Sequence, residues 1–219
     1  LKVNKTKDEV KSLIKELVQK NKYESSGVRM LFTGGYSKDG YTPVETNFVL
    51  IEQALPSPGE AAYQEGISII TYPHQRELPQ IKTINYIMAV WLQTLLKEKA
   101  SADVLYHQNN IITELPRCNI FLVQQEGKVI TPKNNVLHGI TRSKILQIKL
   151  PGISVAEKEI ITLEDVYAAE EIFLTSTSKK VLPICKVDDK IIGEGKPGKI
   201  TKEIALAFDE LRQGYFDNK

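Results

Sequence analysis

The sequence has 219 residues, of which 42% are hydrophobic and 26% charged, proportions typical of an ordinary globular protein with one large domain or two small ones. Its 29 basic and 27 acidic residues leave a formal net charge of +2, which argues against binding to nucleic acid or to an anionic membrane. No apolar run approaches the roughly 20 residues that a membrane span needs. Cys118 and Cys185 lack a CxxC spacing, as expected of reduced thiols in a cytoplasmic protein.

The first part of the chain predicts one helix and two strands, over residues 6–21, 27–35 and 46–53. Thr6 is the candidate cap of the helix, because its hydroxyl can accept a hydrogen bond from a free N–H group of the first turn. Residues 54–64 then interrupt the pattern with two prolines and a glycine, which indicates a connection between domains. We therefore predict a smaller domain over residues 1–57 and a larger one over 58–219.

The larger domain alternates between strand-like and helix-like segments. Strands are predicted over residues 66–73, 103–108, 111–115, 119–125, 128–132, 153–160, 171–178 and 182–187. Helices are predicted over residues 84–100, 139–149, 163–170 and 198–213. Thr83 is the candidate N-cap of the clearest helix, which ends in lysines as the helix dipole prefers. Many strands with interleaved helices indicate an α/β or α+β fold.

Lys82 stands directly before the apolar helix predicted over 84–100. If that helix begins there, Lys82 and Tyr86 lie about one turn apart and their side chains address the same volume. A lysine among apolar residues loses hydration, which lowers its pKa and makes the amine nucleophilic, as Schiff-base formation with a carbonyl requires. The alternative is a lysine whose stem packs while its charge reaches water.

Glu114 interrupts the β-rich stretch IITELPRCNIFLV. A carboxylate in such a stretch needs a partner, because an isolated buried charge is very costly. A protonated pyridine nitrogen would be a suitable partner. The alternative is a glutamate at the rim of the sheet that pairs with Arg117.

Two turns, LHGITRSK and LTSTSKK, are rich in glycine, serine and threonine. The first opens a predicted helix at Gly139, so its free N–H groups and dipole would attract a phosphate. The second offers four consecutive hydroxyls at a strand end, over residues 175–178. The alternative is that serine and threonine simply favour turns. The three histidines lack metal-ligand spacing, so we predict no metal site.

In their order along the chain, these segments resemble the class IV pyridoxal-phosphate-dependent aminotransferases, a family that includes branched-chain and D-amino-acid aminotransferases and aminodeoxychorismate lyase. The matching segments are IKTINY, ITELPRCNIFLV, ITP, LHGITR, EIFLTSTSKKVLPI and IGEGKPGKIT. They run from about residue 66 to the C-terminus, with a looser fit from residue 28. The resemblance implies a two-domain fold in which residues 58–219 form a cofactor-binding pseudo-barrel with flanking helices.

The resemblance also implies a role for each site residue, with pyridoxal 5′-phosphate as the cofactor. Lys82 would hold the cofactor as a Schiff base and later carry a proton, enclosed so that its amine stays neutral and shielded from water. Glu114 would pair with the pyridine nitrogen, and Tyr86 would lie near the phenolic oxygen. The phosphate would be held by Ile140, Thr141, Ser176 and Thr177. The substrate carboxylate would meet the N–H groups of Thr177 and Ser178.

Two departures from the family pattern are visible. Family members carry an additional segment before the point where this chain starts, with an arginine in an H-x-x-R-type stretch that grips the phosphate. We find no such stretch, and we interpret the start of the N-terminal domain as missing from this chain. The family also has small residues where this chain has Arg117, whose guanidinium would either bind a substrate carboxylate in a bidentate fork or pair with surface acids.

The implied function is transfer of an amino group between an amino acid, of the branched-chain or D-amino-acid type, and a 2-oxo acid. Family members are homodimers with the active site near the interface, so we expect a homodimer. One alternative is an aminodeoxychorismate lyase-type enzyme, which releases pyruvate and an aromatic amine. Another is a non-catalytic relative on the same scaffold that serves as an interaction module.

Overall fold

A helix and a pair of strands make up the first of two units, Leu1–Ser57, in a computed structural model that describes residues 1 and 3–217. Helix α1 spans Lys7–Asn21. The Thr6 hydroxyl accepts the Glu9 N–H at 3.2 Å and the Glu9 carboxylate accepts the Thr6 N–H at 2.6 Å. This reciprocal capping box satisfies donors that the first turn leaves free, and it confirms the predicted cap.

The two strands of this unit, β1 (Ser26–Thr33) and β2 (Asn47–Ala54), pair antiparallel along their whole length. A buried carboxylate, that of Glu52, joins them to α1. It accepts hydrogen bonds from the Asn21 amide at 2.9 Å and from the Ser26 hydroxyl at 2.5 Å. Two donors compensate the carboxylate for the hydration that it loses on burial.

The second unit, Pro58–Lys219, is built around a nine-stranded sheet. Its strands are β3 (Ile67–Pro73), β4 (Asp103–Gln108), β5 (Ile111–Ile112), β6 (Asn119–Val123), β7 (Lys128–Pro132), β8 (Ser154–Lys158), β9 (Glu171–Ser176), β10 (Lys180–Val187) and β11 (Lys190–Ile191). They lie in the order β5-β4-β3-β10-β9-β6-β7-β8, with β11 beside β10. Pairs β3–β4, β3–β10 and β7–β8 are parallel and the others antiparallel. This mixed sheet confirms the predicted α+β class.

Helices flank the sheet of the second unit. They are α2 (Glu60–Glu65), α3 (Ile87–Trp91), α4 (Gln93–Glu98), α5 (Ile140–Ile145), α6 (Leu163–Tyr167) and α7 (Lys199–Asp217). A 3₁₀ turn, Gln125–Gly127, makes the hairpin between β6 and β7. In the described ranges, no helix combines the length and the apolar character that crossing a membrane requires.

The core lies on both faces of the sheet, as strand β6 illustrates. All five of its residues are buried, and successive side chains point to opposite faces. Ile120 and Leu122 therefore join one apolar cluster, whereas Phe121 and Val123 join another that α5 and α7 cover. The rings of Phe121 and Phe173 stack there with centroids 5.0 Å apart. The site described below lies among the loops at the ends of this central part of the sheet.

The predicted helix over 84–100 is wrong in its start and in its continuity. Helix α3 begins only at Ile87, with Tyr86 rather than Thr83 in the N-cap position, and Leu92 separates α3 from α4. The Asn85 side-chain oxygen accepts the Ile87 N–H at 3.3 Å. Such a local side-chain bond competes with extension of the helix toward its N-terminus.

Three other predicted elements differ from the structure. Within the connection predicted over 54–64, residues from Glu60 onward form α2, where the Tyr63 hydroxyl donates to the Lys179 carbonyl at 3.1 Å. The strand predicted over 111–115 is reduced to Ile111–Ile112, although the chain stays hydrogen-bonded to Tyr106 of β4 as far as Glu114. The helix predicted over 139–149 ends at Ile145. Element type was predicted more accurately than element length.

Candidate functional site

Glu114 is the buried centre of the site. Its side chain is 5% exposed, and both of its oxygens are engaged. Oε1 accepts from Arg76 Nε at 2.8 Å and lies 2.6 Å from a terminal nitrogen of the same guanidinium, while Oε2 accepts the Leu137 N–H at 2.9 Å. Charged and backbone donors of this kind are what a buried carboxylate requires.

The surroundings of Glu114 act on its pKa in opposite directions. Burial raises the pKa of this carboxyl above its ordinary value, whereas the Leu137 N–H, Arg76 and Lys82 each lower it. Removing any of these groups would therefore favour the neutral acid.

Arg76 reaches Glu114 because strands β3 and β4 are parallel and adjacent. Their pairing ends with Pro73 opposite His107, and the His74 N–H then donates to the His107 carbonyl at 2.9 Å. The chain that leaves β4 turns back through β5, and the Glu114 carbonyl accepts the Tyr106 N–H of β4 at 3.0 Å. Arg76, just beyond β3, and Glu114, back beside β4, therefore meet. A buried glutamate indicates that a cation lies near it. The sequence alone does not reveal that this cation is Arg76, because the sheet brings the two residues together from distant parts of the chain.

The alternative that Glu114 pairs with Arg117 is wrong. Arg117 is exposed at the tip of a tight turn in which Leu115 and Cys118 exchange backbone hydrogen bonds of 2.9 and 3.3 Å. The turn directs the chain away from Glu114 within one residue of it. Arg117 is therefore close to Glu114 in sequence without pairing with it, and its exposed guanidinium can bind another anion.

Lys82 lies in an irregular loop, residues 80–86, and its side chain is exposed. The prediction that Lys82 is enclosed is therefore wrong for the described chain, because the apolar residues around it do not form a buried helix. The loop is nevertheless held, since the Arg76 guanidinium donates to the carbonyls of Pro79 at 2.5 Å and Ile81 at 3.2 Å. The residue preceding Lys82 is thus bound to the arginine that binds Glu114.

Tyr86 is half-buried and occupies the N-cap position of α3. The expectation that Tyr86 and Lys82 lie one helical turn apart is wrong, because the residues between them are not helical. Lys82 and Tyr86 are still only four residues apart in sequence, and both precede the start of α3. A role for Tyr86 toward the cofactor stays a prediction.

The loop before α5 is fastened to the sheet by Asn119. Its amide nitrogen donates to the Leu137 carbonyl at 2.7 Å, so the backbone of Leu137 is held on one side by Asn119 and on the other by Glu114. A Cβ at Gly139 would lie 2.4 Å from the Asn119 side-chain oxygen, closer than any side chain tolerates. Glycine is therefore required for this close approach.

Helix α5 begins at Ile140, directly after this loop. Ile140 is exposed and Thr141 is buried. The first N–H groups of any α-helix have no acceptor within the helix, so those of Ile140 and Thr141 point out of α5 beside the loop that contacts Glu114. Arg142, next in sequence, is buried and pairs with Glu157 at 2.6 Å.

The turn between β9 and β10 carries the other predicted phosphate and carboxylate contacts. The Ser176 hydroxyl accepts the Lys179 N–H at 3.0 Å, and the Lys179 ammonium pairs with Asp103 at 2.7 Å. Thr177 is exposed and Ser178 is half-buried. The turn follows Thr175, which pairs with Asn119 between β9 and β6, and this register links the turn to the loop that Asn119 holds.

The structure thus connects the predicted segments through side chains that sequence reasoning missed, namely Arg76, Asn119 and Lys179. Arg76 joins the Lys82 loop to Glu114, and Asn119 joins the loop before α5 to the sheet. A separate surface cavity of about 680 Å³, at the start of α7, is lined by Glu170, Glu171, Gly193, Glu194, Lys196, Pro197, Gly198, Lys199, Lys202, Glu203 and Leu206. None of the predicted site residues lines that cavity.

The sequence of this chain is similar to a known protein family and to individual members of it. The family model described as amino-transferase class IV matches residues 1–187. A D-alanine aminotransferase from Bacillus licheniformis is 30% identical over 208 residues, which cover 91% of this chain and 72% of that protein.

Solved structures show the same architecture. The branched-chain amino acid aminotransferase of Escherichia coli superposes with a TM-score of 0.85 at 26% identity, covering 96% of this chain and 73% of that one. A putative 4-amino-4-deoxychorismate lyase from Legionella pneumophila reaches a TM-score of 0.84 at 19% identity, covering 95% and 78%. The second likeness is one of fold alone.

Proposed function

This chain belongs to the class IV aminotransferase family, and from this premise we propose that the residues around Glu114 and Lys82 form a pyridoxal-phosphate site for amino transfer. The chain is an aminotransferase, which passes an amino group between an amino acid and a 2-oxo acid. The observation that carries the proposed site is the buried Glu114 carboxylate, which is paired with Arg76, while the same guanidinium binds the carbonyl of Ile81, the residue before Lys82.

The residues present fit pyridoxal 5′-phosphate. Glu114 is a buried carboxylate with lone pairs beyond those that Arg76 and Leu137 use, since an ionised carboxylate offers about four acceptor sites. It would hold the protonated ring nitrogen. Ile140, Thr141, Ser176 and Thr177 would hold the phosphate through N–H and hydroxyl donors. When bound, this cofactor supplies a ring that accepts electrons from the bond being broken.

Lys82 would attach the cofactor through its Nζ and afterwards carry a proton to and from the substrate carbon. Its exposed position in the described chain gives that amine room to meet a carbonyl. Glu114 would favour a proton on the ring nitrogen, because an ionised carboxylate stabilises a positively charged neighbour. Tyr86, at the start of α3, would orient the cofactor from the side of the Lys82 loop.

Arg117, together with the N–H groups of Thr177 and Ser178, would bind the substrate carboxylate. Its guanidinium is exposed and offers the paired donors that match a carboxylate. We propose an amino acid of the branched-chain or D-amino-acid type as substrate, the classes on which the relatives named above act. The first measurement should distinguish L-amino acids from D-amino acids as substrates.

The surface around Lys82 supports a homodimer. Six apolar side chains in the segment from residue 78 to residue 91, which contains Lys82, are each more than half exposed, namely Leu78, Ile81, Ile84, Ile87, Val90 and Trp91. A patch of this kind is typical of a protein–protein contact, and a two-fold dimer would bury the same patch on both copies. Sedimentation at micromolar concentration should give twice the 24.7 kDa chain mass. A monomer would contradict this part of the proposal.

A half-reaction screen tests the proposed function. Purified protein is loaded with pyridoxal 5′-phosphate and mixed with L- and D-amino acids one at a time, while the absorbance of the bound cofactor is followed. We expect the visible band to decay with at least one branched-chain or D-amino acid and to return on addition of a 2-oxo acid. A protein that binds no cofactor, or whose band responds to no amino acid, would be the non-catalytic relative.

A lyase of the aminodeoxychorismate type is the second candidate, favoured by the similarity in fold to the Legionella protein. Such an enzyme releases pyruvate without an added 2-oxo acid, whereas an aminotransferase does not. Assaying pyruvate from aminodeoxychorismate in the absence of acceptor therefore separates the two. We expect no pyruvate.

A cytoplasmic location is also part of the proposal. Both cysteines are free and buried, as is usual where thiols are kept reduced. Imaging a tagged full-length protein in its own cells would check the location.

A further inference from the structure

One side chain joins the two halves of the candidate site. The Arg76 guanidinium donates to Glu114 Oε1 from Nε at 2.8 Å and, from a terminal nitrogen, lies 2.6 Å from the same oxygen. Its terminal nitrogens also donate to the carbonyls of Pro79 at 2.5 Å and Ile81 at 3.2 Å. Arg76 thus bridges the buried acid and the backbone immediately before Lys82.

The arrangement needs an arginine. The guanidinium is planar and carries five N–H donors in a rigid fork, so it can serve a carboxylate and two carbonyls at once. Its side chain is only 14% exposed, and water therefore competes weakly for these bonds. A lysine at this position would supply the same charge at a single point, but it would not hold both carbonyls.

The loop that carries Lys82 depends on these contacts for its shape. The Ile81 N–H donates to the Leu78 carbonyl at 3.1 Å, which closes a turn before Lys82, and the Thr83 N–H donates to the Ile81 carbonyl at 3.0 Å, which closes a tighter turn around Lys82. Arg76 binds the first turn through the carbonyls of Pro79 and Ile81. Because Lys82 itself is exposed, its position follows from the turn and not from packing of its own side chain.

The acid on the other side is itself fixed. Glu114 holds the Leu137 N–H at 2.9 Å, and Asn119 holds the Leu137 carbonyl at 2.7 Å. A displacement of Arg76 would therefore release the Lys82 loop from a rigid part of the sheet. It would also leave a buried carboxylate without its cation.

We propose that Arg76 is a positioning residue of the aminotransferase site, which sets the place of the Lys82 loop relative to Glu114 and supplies the positive charge that pairs with the Glu114 carboxyl group. The proposal rests on the proposed function, since it assigns Arg76 a task toward the same cofactor. The competing explanation is a structural ion pair, whose loss lowers stability and nothing else.

The first test uses the cofactor-free protein and a lysine-specific endoproteinase, with cleavage after Lys82 identified by fragment mass. The Arg76→Gln variant removes the charge and the fork. We expect its cleavage after Lys82 to be about tenfold faster than in the wild type, because cleavage follows the open population of a loop that has lost two charged hydrogen bonds.

Glu171→Ala is the matched control for stability. The Glu171 carboxylate accepts the N–H groups of Ile200 at 3.0 Å and Thr201 at 2.7 Å, so its loss removes the cap of α7 in the same unit. This variant and Arg76→Gln should both unfold at a lower temperature than the wild type. Its cleavage rate after Lys82 should nevertheless equal that of the wild type.

The second test follows the absorbance of bound pyridoxal 5′-phosphate against pH. In Arg76→Gln, Glu114 should become neutral more readily, and it would then hold a proton on the ring nitrogen less well. The Lys82 nitrogen that would join the protein to the cofactor then lacks a positive charge nearby, which raises the pKa of that nitrogen. The pH at which the absorbance changes should therefore rise by about one unit. Arg76→Lys retains the charge, so its titration should remain close to that of the wild type.

Unchanged cleavage after Lys82 together with an unchanged titration in Arg76→Gln, at lowered stability, would overturn the proposal. If Arg76→Gln fails to fold, Arg76→Lys decides the question, since it should show faster cleavage after Lys82 with a nearly normal titration. A wild type that binds no pyridoxal 5′-phosphate would refute the proposed function, while the cleavage rates would still decide whether Arg76 holds the loop.

Discussion

The surroundings of Glu114 and those of Lys82 differ sharply, although the two residues serve the same proposed site. Glu114 is buried among fixed donors on the sheet, whereas Lys82 is exposed in an irregular loop. A buried charge must be compensated by the fold that buries it. An exposed amine carries no such cost. We therefore expect Glu114 to contribute to the stability of the protein, and Lys82 to contribute to the reaction but not to stability.

The largest effect that would test this contrast is on activity, in Lys82→Ala. We expect amino transfer to fall by about 10³-fold or more, since the proton carrier is lost, and the visible band of the bound cofactor to disappear. The free energy of unfolding should change by less than about 0.5 kcal/mol, because the side chain is exposed. Lys133→Ala, another exposed lysine, is the control and should leave the band intact. A band that survives Lys82→Ala would show that the anchor is elsewhere.

The next effect is on stability, in Glu114→Gln. Arg76 would remain buried without its carboxylate, and breaking such a pair costs about 3–5 kcal/mol. Urea unfolding of the cofactor-free protein measures the change. Glu159→Gln, which removes the carboxylate of an exposed pair with Lys133, should change the free energy by less than about 1 kcal/mol. If Glu114→Gln and Glu159→Gln lowered the free energy of unfolding equally, the buried pair would not be more important for stability than the exposed one.

A third prediction concerns alkaline pH and the thiol that follows the Arg117 turn. Burial raises the pKa of Cys118 from its ordinary value of 9.0 to about 11. As pH rises through this interval the unfolded chain loses the thiol proton first, so the free energy of unfolding falls, by on the order of 3 kcal/mol in total. Cys118→Ala should lack this contribution and show a shallower pH dependence from 9 to 11. Identical slopes would contradict it.

The smallest expected effect belongs to Arg117→Ala, on the exposed side of the site. Losing a bidentate contact with the substrate carboxylate should raise KM by about tenfold, equivalent to about 1.4 kcal/mol, with little change in unfolding. Arg117→Lys should recover only part of the affinity, because lysine lacks the fork. A KM that stays constant in both variants would indicate that Arg117 pairs with surface acids.

The site could be predicted from sequence to the extent that its parts lie in short motifs. LHGITR and LTSTSKK mark a loop before a helix and a turn between strands, and the structure ties the loop to Asn119 at the start of β6 and pairs Asn119 with Thr175, just before the turn. The need of Glu114 for a cation was also predictable. The identity of that cation was not, because Arg117 is near in sequence and Arg76 is near only across the parallel pairing of β3 and β4.

Sequence by itself determined the local features of this protein. The Thr6–Glu9 capping box, the apolar strands and the order of the family motifs all depend on residues a few positions apart. The tertiary structure decided what depends on residues far apart: the partner of Glu114, the exposure of Lys82 and the break between α3 and α4. Burial and charge pairing are set by which strands lie side by side, and strand order is a property of the whole chain that no single segment contains.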